Sequence, residues 1–111
     1  MRFALLKAYE AGDRAELMRI RNCMVPEVIA AFEAVDATFR RQWMRRNKPF
    51  GLEIMQIRLA GLRERYAELA RRIDELLEGR IEKIDELELE PEARGFCETR
   101  YRMLATGGWF I

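Results

Sequence analysis

The chain has 111 residues, half of them hydrophobic and 35% charged, with acids and bases nearly cancelling to a net +1. That describes one domain with a modest core and a heavily charged surface, without a global reason for nucleic-acid or membrane binding. Histidine and serine are both missing, which excludes a serine nucleophile, a histidine base and a histidine metal site.

The chain order reads as a succession of helices. The first covers roughly residues 2–11, and Gly12 suits the left-handed position that ends a helix. Asp13-Arg14-Ala15-Glu16 has capping-box spacing, with Asp13 as N-cap and Glu16 expected to reach back. A second, short helix follows through about Asn22, with Leu17 and Ile20 on its apolar side. Pro26 then fits the first turn of a third helix, where its missing N–H costs nothing. This third helix is expected over 26–46, with Val28, Phe32, Val35, Phe39 and Trp43 as its stripe.

Asn47, Pro49 and Gly51 break the pattern, and Phe50 stands inside the break. The fourth helix is the clearest element. Leu52, Met55, Leu59, Leu62, Tyr66, Leu69, Ile73 and Leu76 alternate steps of three and four, a seam of coiled-coil type. Gly79 closes it, and a short helix or turn carries Ile81, Ile84 and Leu87 before Pro91. Two long helices joined by a short loop fold back as an antiparallel hairpin. The N-terminal helices and the segment 81–89 are left to cover it. No stretch alternates with period two for long enough to form a strand, so the expected class is all-α. The expected organisation is a single domain: short helices at 1–24, a helical hairpin at 26–78, and a short helix with an apolar tail at 80–111.

Both ends invite a question. The first helix begins without a capping residue, as though cut from a longer one. The chain finishes on Trp109, Phe110 and Ile111, whereas free termini are normally polar. Such an end either docks into the domain's own core or once continued into something else. No apolar run reaches the ~20 residues that span a bilayer, and residues 1–6 are too short for a signal peptide. Cys23 and Cys97 have neither metal-ligand spacing nor a redox motif. Reduced thiols in a cytoplasmic chain are expected, with a disulfide as the alternative.

Each charged or aromatic cluster has a sharp and a bland reading. Arg40, Arg41, Arg45, Arg46 and Lys48 form the densest basic run, either a phosphate-binding patch or a solvated, ion-pairing face; the solvated face is expected. The acids Glu82, Asp85, Glu86, Glu88, Glu90 and Glu92 lack the alternate spacing and glycine turn of a calcium loop, so no metal is expected. Asp74 and Glu78 are expected to pair with Arg71 and Arg72 rather than act as an acid–base couple. Trp43, Phe50 and Tyr66 would suit a sugar platform, but aromatics at helical spacing are more often core, and Trp43 and Tyr66 are expected there. No catalytic residue, no metal and no cofactor are expected.

AYEAGD at 8–13, FRRQWMRRNKPFGLEIMQIRLAGL at 39–62 and LLEGRIEKIDELE at 76–88 together point to a family. Their order resembles the C-terminal helical domain of bacterial family 20 glycoside hydrolases, the β-N-acetylhexosaminidases. The specific part is Trp43, three residues, NKPFG, Leu52 and Glu53, then IRLAGL at 57–62. The likeness weakens from Pro91 onward. In that family the catalytic acid and its adjacent aspartate sit on a preceding (β/α)₈ barrel, where the substrate's own acetamido group attacks the anomeric carbon. No position of this chain matches that catalytic motif, so none is carried over. The resemblance implies a non-catalytic accessory domain whose partners are the parent's catalytic barrel and further copies of itself. Trp43, Asn47, Phe50, Trp109 and Phe110 are the expected interface. The alternative is a free-standing helical interaction protein that shares the hairpin but not the enzyme.

Overall fold

The computed structural model describes residues 1–88 of the chain, and among them every regular element is helical. The elements are α1 (Arg2–Glu10), α2 (Arg14–Arg19), a π-helical turn (Ile20–Met24), α3 (Val25–Arg46), α4 (Leu52–Leu77) and α5 (Asp85–Glu88). Together they make an all-α hairpin of α3 and α4, with the N-terminal helices and the segment around α5 packed at one end. The expectations placed on Cys97, Trp109 and Phe110 lie outside the described residues.

Local chemistry explains the boundaries. Beyond α1, Asp13 N donates to the Ala8 carbonyl at 2.9 Å and Gly12 N to Tyr9 at 3.1 Å, closing the helix through a glycine at φ +63°. Asp13 then accepts from Glu16 N at 3.0 Å, as an N-cap should. The other half of the expected capping box does not form. Glu16 turns forward to Arg19 in two bonds of 2.7 and 2.6 Å, because a guanidinium one turn on offers a charge-assisted fork that a backbone N–H does not.

The expected break between a second and a third helix is absent. The helix runs without interruption from Arg14 to Arg46 and widens to a π-turn just before Pro26, with Val25 N bonded to the Ile20 carbonyl. A proline inside an α-helix lacks an N–H and presses its ring on the carbonyl four residues back. Widening the turn at 20–24 moves that carbonyl aside, so Pro26 sits in the first turn of α3, as expected, but with no break before it.

The core sits at one end of the hairpin, here called the base. Leu5 and Ala8 of α1, Leu17, Ile20, Val25, then Tyr66, Leu69 and Ile73 of α4, and Ile84 form one buried cluster. Ile20 and Ile73 are fully enclosed. Phe32 stacks on Tyr66 with ring centroids 5.8 Å apart and marks the upper limit of this packing. Arg21 bridges the two long helices by a two-pronged contact with Asp74, 2.8 and 2.7 Å.

Towards the loop only two helices remain among the described residues. Leu52 and Leu59 are buried there but lie outside the main cluster. The seam of α4 otherwise follows its expected phase, with Met55, Leu62 and Leu76 half-buried. Val35 departs from it. It is 52% exposed, since no third element among the described residues covers that side of α3 at that height. The short helix expected around 81–87 shrinks to Asp85–Glu88, while Ile84 enters the core from the coil ahead of it.

Candidate functional site

The hairpin loop is built on Trp43. Its indole Nε1 donates to the Lys48 carbonyl at 2.9 Å, and Asn47 N donates to the Trp43 carbonyl at 2.8 Å. Phe39 packs against the same indole, centroids 5.6 Å apart. Gly51 adopts φ +96°, and a Cβ there would stand 3.3 Å from Trp43 Cζ2. The left-handed backbone therefore favours glycine, and a side chain there would also push the indole by a few tenths of an ångström. Glu53 accepts from Gly51 N at 2.8 Å and fixes the start of α4.

With Trp43 supporting the loop from within, Phe50 is left outside at 84% exposure. Phe50 therefore does not cover the hairpin's own core. Asn47 is exposed as well. Met44, Ile54 and Ile57 add exposed apolar surface nearby, Ile57 at 71%. Around them stand Arg40, Arg41, Arg45, Arg46, Lys48 and Arg58, with Glu53 the single carboxylate between residues 38 and 58.

Charges pair at the base and not at the tip. Every ion pair among the described residues joins side chains from 16–33 or 63–85 to carboxylates of the same two stretches or α5. None involves the six tip cations. The partners also differ from expectation. Asp74 pairs with Arg21 and Glu78 with Arg80, while Arg71 bridges Glu64 and Glu68, and Arg72 holds Glu75 and Glu86. With the whole chain at +1, a basic tip leaves the remainder net acidic.

At the base, α1, the end of α4 and the coil before α5 enclose an open cavity of about 540 Å³. Its floor is apolar, from Leu17, Leu76 and Leu77, and Tyr9 stands at its edge. The Tyr9 hydroxyl donates to Glu88 at 2.7 Å and accepts from Ile84 N at 3.1 Å, tying α1 to the far end of the described chain. Burial pushes the Tyr9 phenol above its ordinary pKa, and the bond to Glu88 adds to the rise. Arg14 on the rim donates to the Leu77 carbonyl, and Lys83 pairs with Asp85. Glu10 and Glu82, also on the rim, have no ion-pair partner among the described residues.

A family model, that of the Glycoside Hydrolase 20C C-terminal domain, matches residues 1–98. The chain belongs to this family. No curated protein matches the chain. The family 20 C-terminal domain thus consists, in the described residues, of a helical hairpin with a basic apolar tip and a base that carries core, ion pairs and cavity. No group of three metal-ligating side chains is gathered among the described residues, and no described helix is long and apolar enough to cross a membrane. Cys23 is an exposed thiol.

Sequence reading named Trp43, Asn47 and Phe50 as interface residues; the structure places all three at the hairpin loop, with Trp43 bonded inward to Lys48 and Asn47 and Phe50 exposed. Tyr66 is buried in the core, as expected. The basal cavity was missed. Its signal was weak: Tyr9 on a short helix and two unpaired glutamates read as ordinary surface.

Proposed function

We infer that this chain is the non-catalytic C-terminal accessory domain of a β-N-acetylhexosaminidase, a glycoside hydrolase that removes terminal N-acetylhexosamine. It packs against the catalytic barrel of its parent enzyme, self-associates, and works in the cytoplasm. The observation that carries this reading is the family match across residues 1–98. The apolar tip supports the assembly role, because Phe50, Met44, Ile54 and Ile57, all exposed large hydrophobics at or near the hairpin loop, are what an interface offers. The cytoplasmic placement draws support from the exposed Cys23 thiol.

Purified chain is expected to hydrolyse no chromogenic N-acetylglucosaminide or N-acetylgalactosaminide. Turnover above a buffer blank that survives repurification overturns the accessory role. A catalytic barrel encoded directly upstream in the same reading frame supports it, and a reading frame without a barrel counts against it.

A further inference from the structure

The tip and the base of this molecule are chemical complements. The tip is a protruding phenyl ring at 84% exposure, set among six cations that have no carboxylate partner among the described residues. The base is a concave, apolar-floored cavity of about 540 Å³ whose rim carries the unpaired carboxylates Glu10 and Glu82, beside Arg14, which is bonded to the Leu77 carbonyl, and Lys83, which is paired with Asp85. Cavities of this size accept small apolar groups fixed by a few polar contacts. One chain therefore holds both halves of a contact it cannot make with itself. The loop and the cavity lie at opposite ends of α4, whose 26 residues span about 39 Å at ~1.5 Å per residue.

We propose that the chain pairs with a second copy of itself in antiparallel fashion, the Phe50 tip of each seated in the basal cavity of the other. This rests on the self-association proposed above and specifies its surfaces. Antiparallel alignment of two elongated molecules, each 49 Å in its longest dimension, brings both tips to both bases at once. The two contacts are equivalent under a two-fold axis, so the assembly closes at two chains. Closure matters for size: one loop in one socket falls short of the ~1,200–2,000 Å² typical of specific interfaces, and two contacts with the flanks between them approach it. Charge sets the direction. A parallel pair sets basic tip beside basic tip, whereas the antiparallel pair neutralises Arg45, Arg46 and Lys48 against Glu10 and Glu82.

Multi-angle light scattering over a concentration series, on the full chain, tests this with two variants. Arg45→Glu with Arg46→Glu reverses the tip; Glu10→Lys with Glu82→Lys reverses the rim. All four side chains are exposed and outside every ion pair described, so helical circular dichroism is expected to stay unchanged. The unaltered chain is expected to show the mass of two chains. Each variant alone is expected to dimerise at least about tenfold more weakly, and an equimolar mixture to regain the dimer, since both contacts again join opposite charges. Phe50→Ser is expected to weaken dimerisation by a similar factor. Dimers that survive both reversals, a mixture that stays monomeric, or mass that grows without limit overturns the antiparallel pairing while leaving self-association standing. A mass of one chain at every concentration overturns both, and leaves the socket to the catalytic domain.

Discussion

Ile73 and Leu62 occupy the same seam of α4 in the sequence, yet truncating them to alanine is expected to have very different costs. Ile73 is fully enclosed by the basal cluster. Ile73→Ala removes three carbon groups at ~0.8 kcal/mol each, about 2.4 kcal/mol of transfer free energy. A residual void of roughly 50 Å³ adds about 1.2 kcal/mol at ~24 cal/mol per Å³, for a total near 3.6 kcal/mol. Leu62 is half-buried, above the Phe32–Tyr66 contact, where among the described residues only two helices meet. Half the transfer term and no closed cavity leaves about 1.2 kcal/mol for Leu62→Ala. Urea unfolding followed at 222 nm measures both. With a slope near 1.5 kcal/mol/M, the midpoints are expected to fall by about 2.4 M and 0.8 M respectively. Equal shifts would refute the division into packed base and sparsely packed tip, and a larger shift for Leu62 would invert it.

Two further substitutions probe the tip and the base. Gly51→Ala is expected to cost about 1–2 kcal/mol, because alanine at φ +96° is strained and its methyl meets the Trp43 ring; a change in indole fluorescence should accompany it, and an unperturbed midpoint would contradict the geometry. Tyr9→Phe removes the bonds to Glu88 and Ile84 and is expected to cost about 1–3 kcal/mol. The Tyr9 pKa is raised in the folded chain, so its contribution is complete below the ordinary phenol value of about 10 and declines as pH rises through the folded value. The unaltered chain should therefore lose stability in that alkaline range more steeply than Tyr9→Phe, as thermal melts from pH 8 to 11 would show; identical slopes would contradict it.

What the sequence revealed depended on how local the cause was. The three/four spacing of α4, the Asp13 cap and the glycine stops rest on neighbours within a turn or two, and each reads directly from residue order. The π-turn before Pro26 did not, because a proline that opens a helix and one that is absorbed by widening the previous turn look alike in one dimension. Val35 was in phase with its stripe, but phase says which side faces inward and not whether anything stands opposite. Asp74 and Glu78 had several arginines within reach, and the choice of Arg21 over Arg71 was settled by the crossing of the two long helices. Phe50 was legible as a loop aromatic, whereas Trp43 read as part of the stripe of α3. Only the indole N–H, which finds the Lys48 carbonyl, decided which one turned inward. The family motif was legible because it combines the breakers with this same tryptophan; the basal cavity was not, since it is made by two stretches, 9–17 and 76–88, distant in sequence.

The π-turn also acts as a phase device. An α-helix advances about 100° per residue, and a π-turn accommodates one residue more than the α-helical winding around it. The five residues Ile20–Met24 therefore set how the faces of α2 and α3 are rotated relative to one another. Were the same residues wound as plain α-helix instead, everything beyond the turn would be rotated by one residue's step of about 100°, at the expense of Pro26. Leu17 and Ile20 would then stay seated on the base while Phe32, Phe39 and Trp43 swung about a quarter of a circle away from α4. The chain would keep nearly all its helix and lose the direction in which its hairpin points.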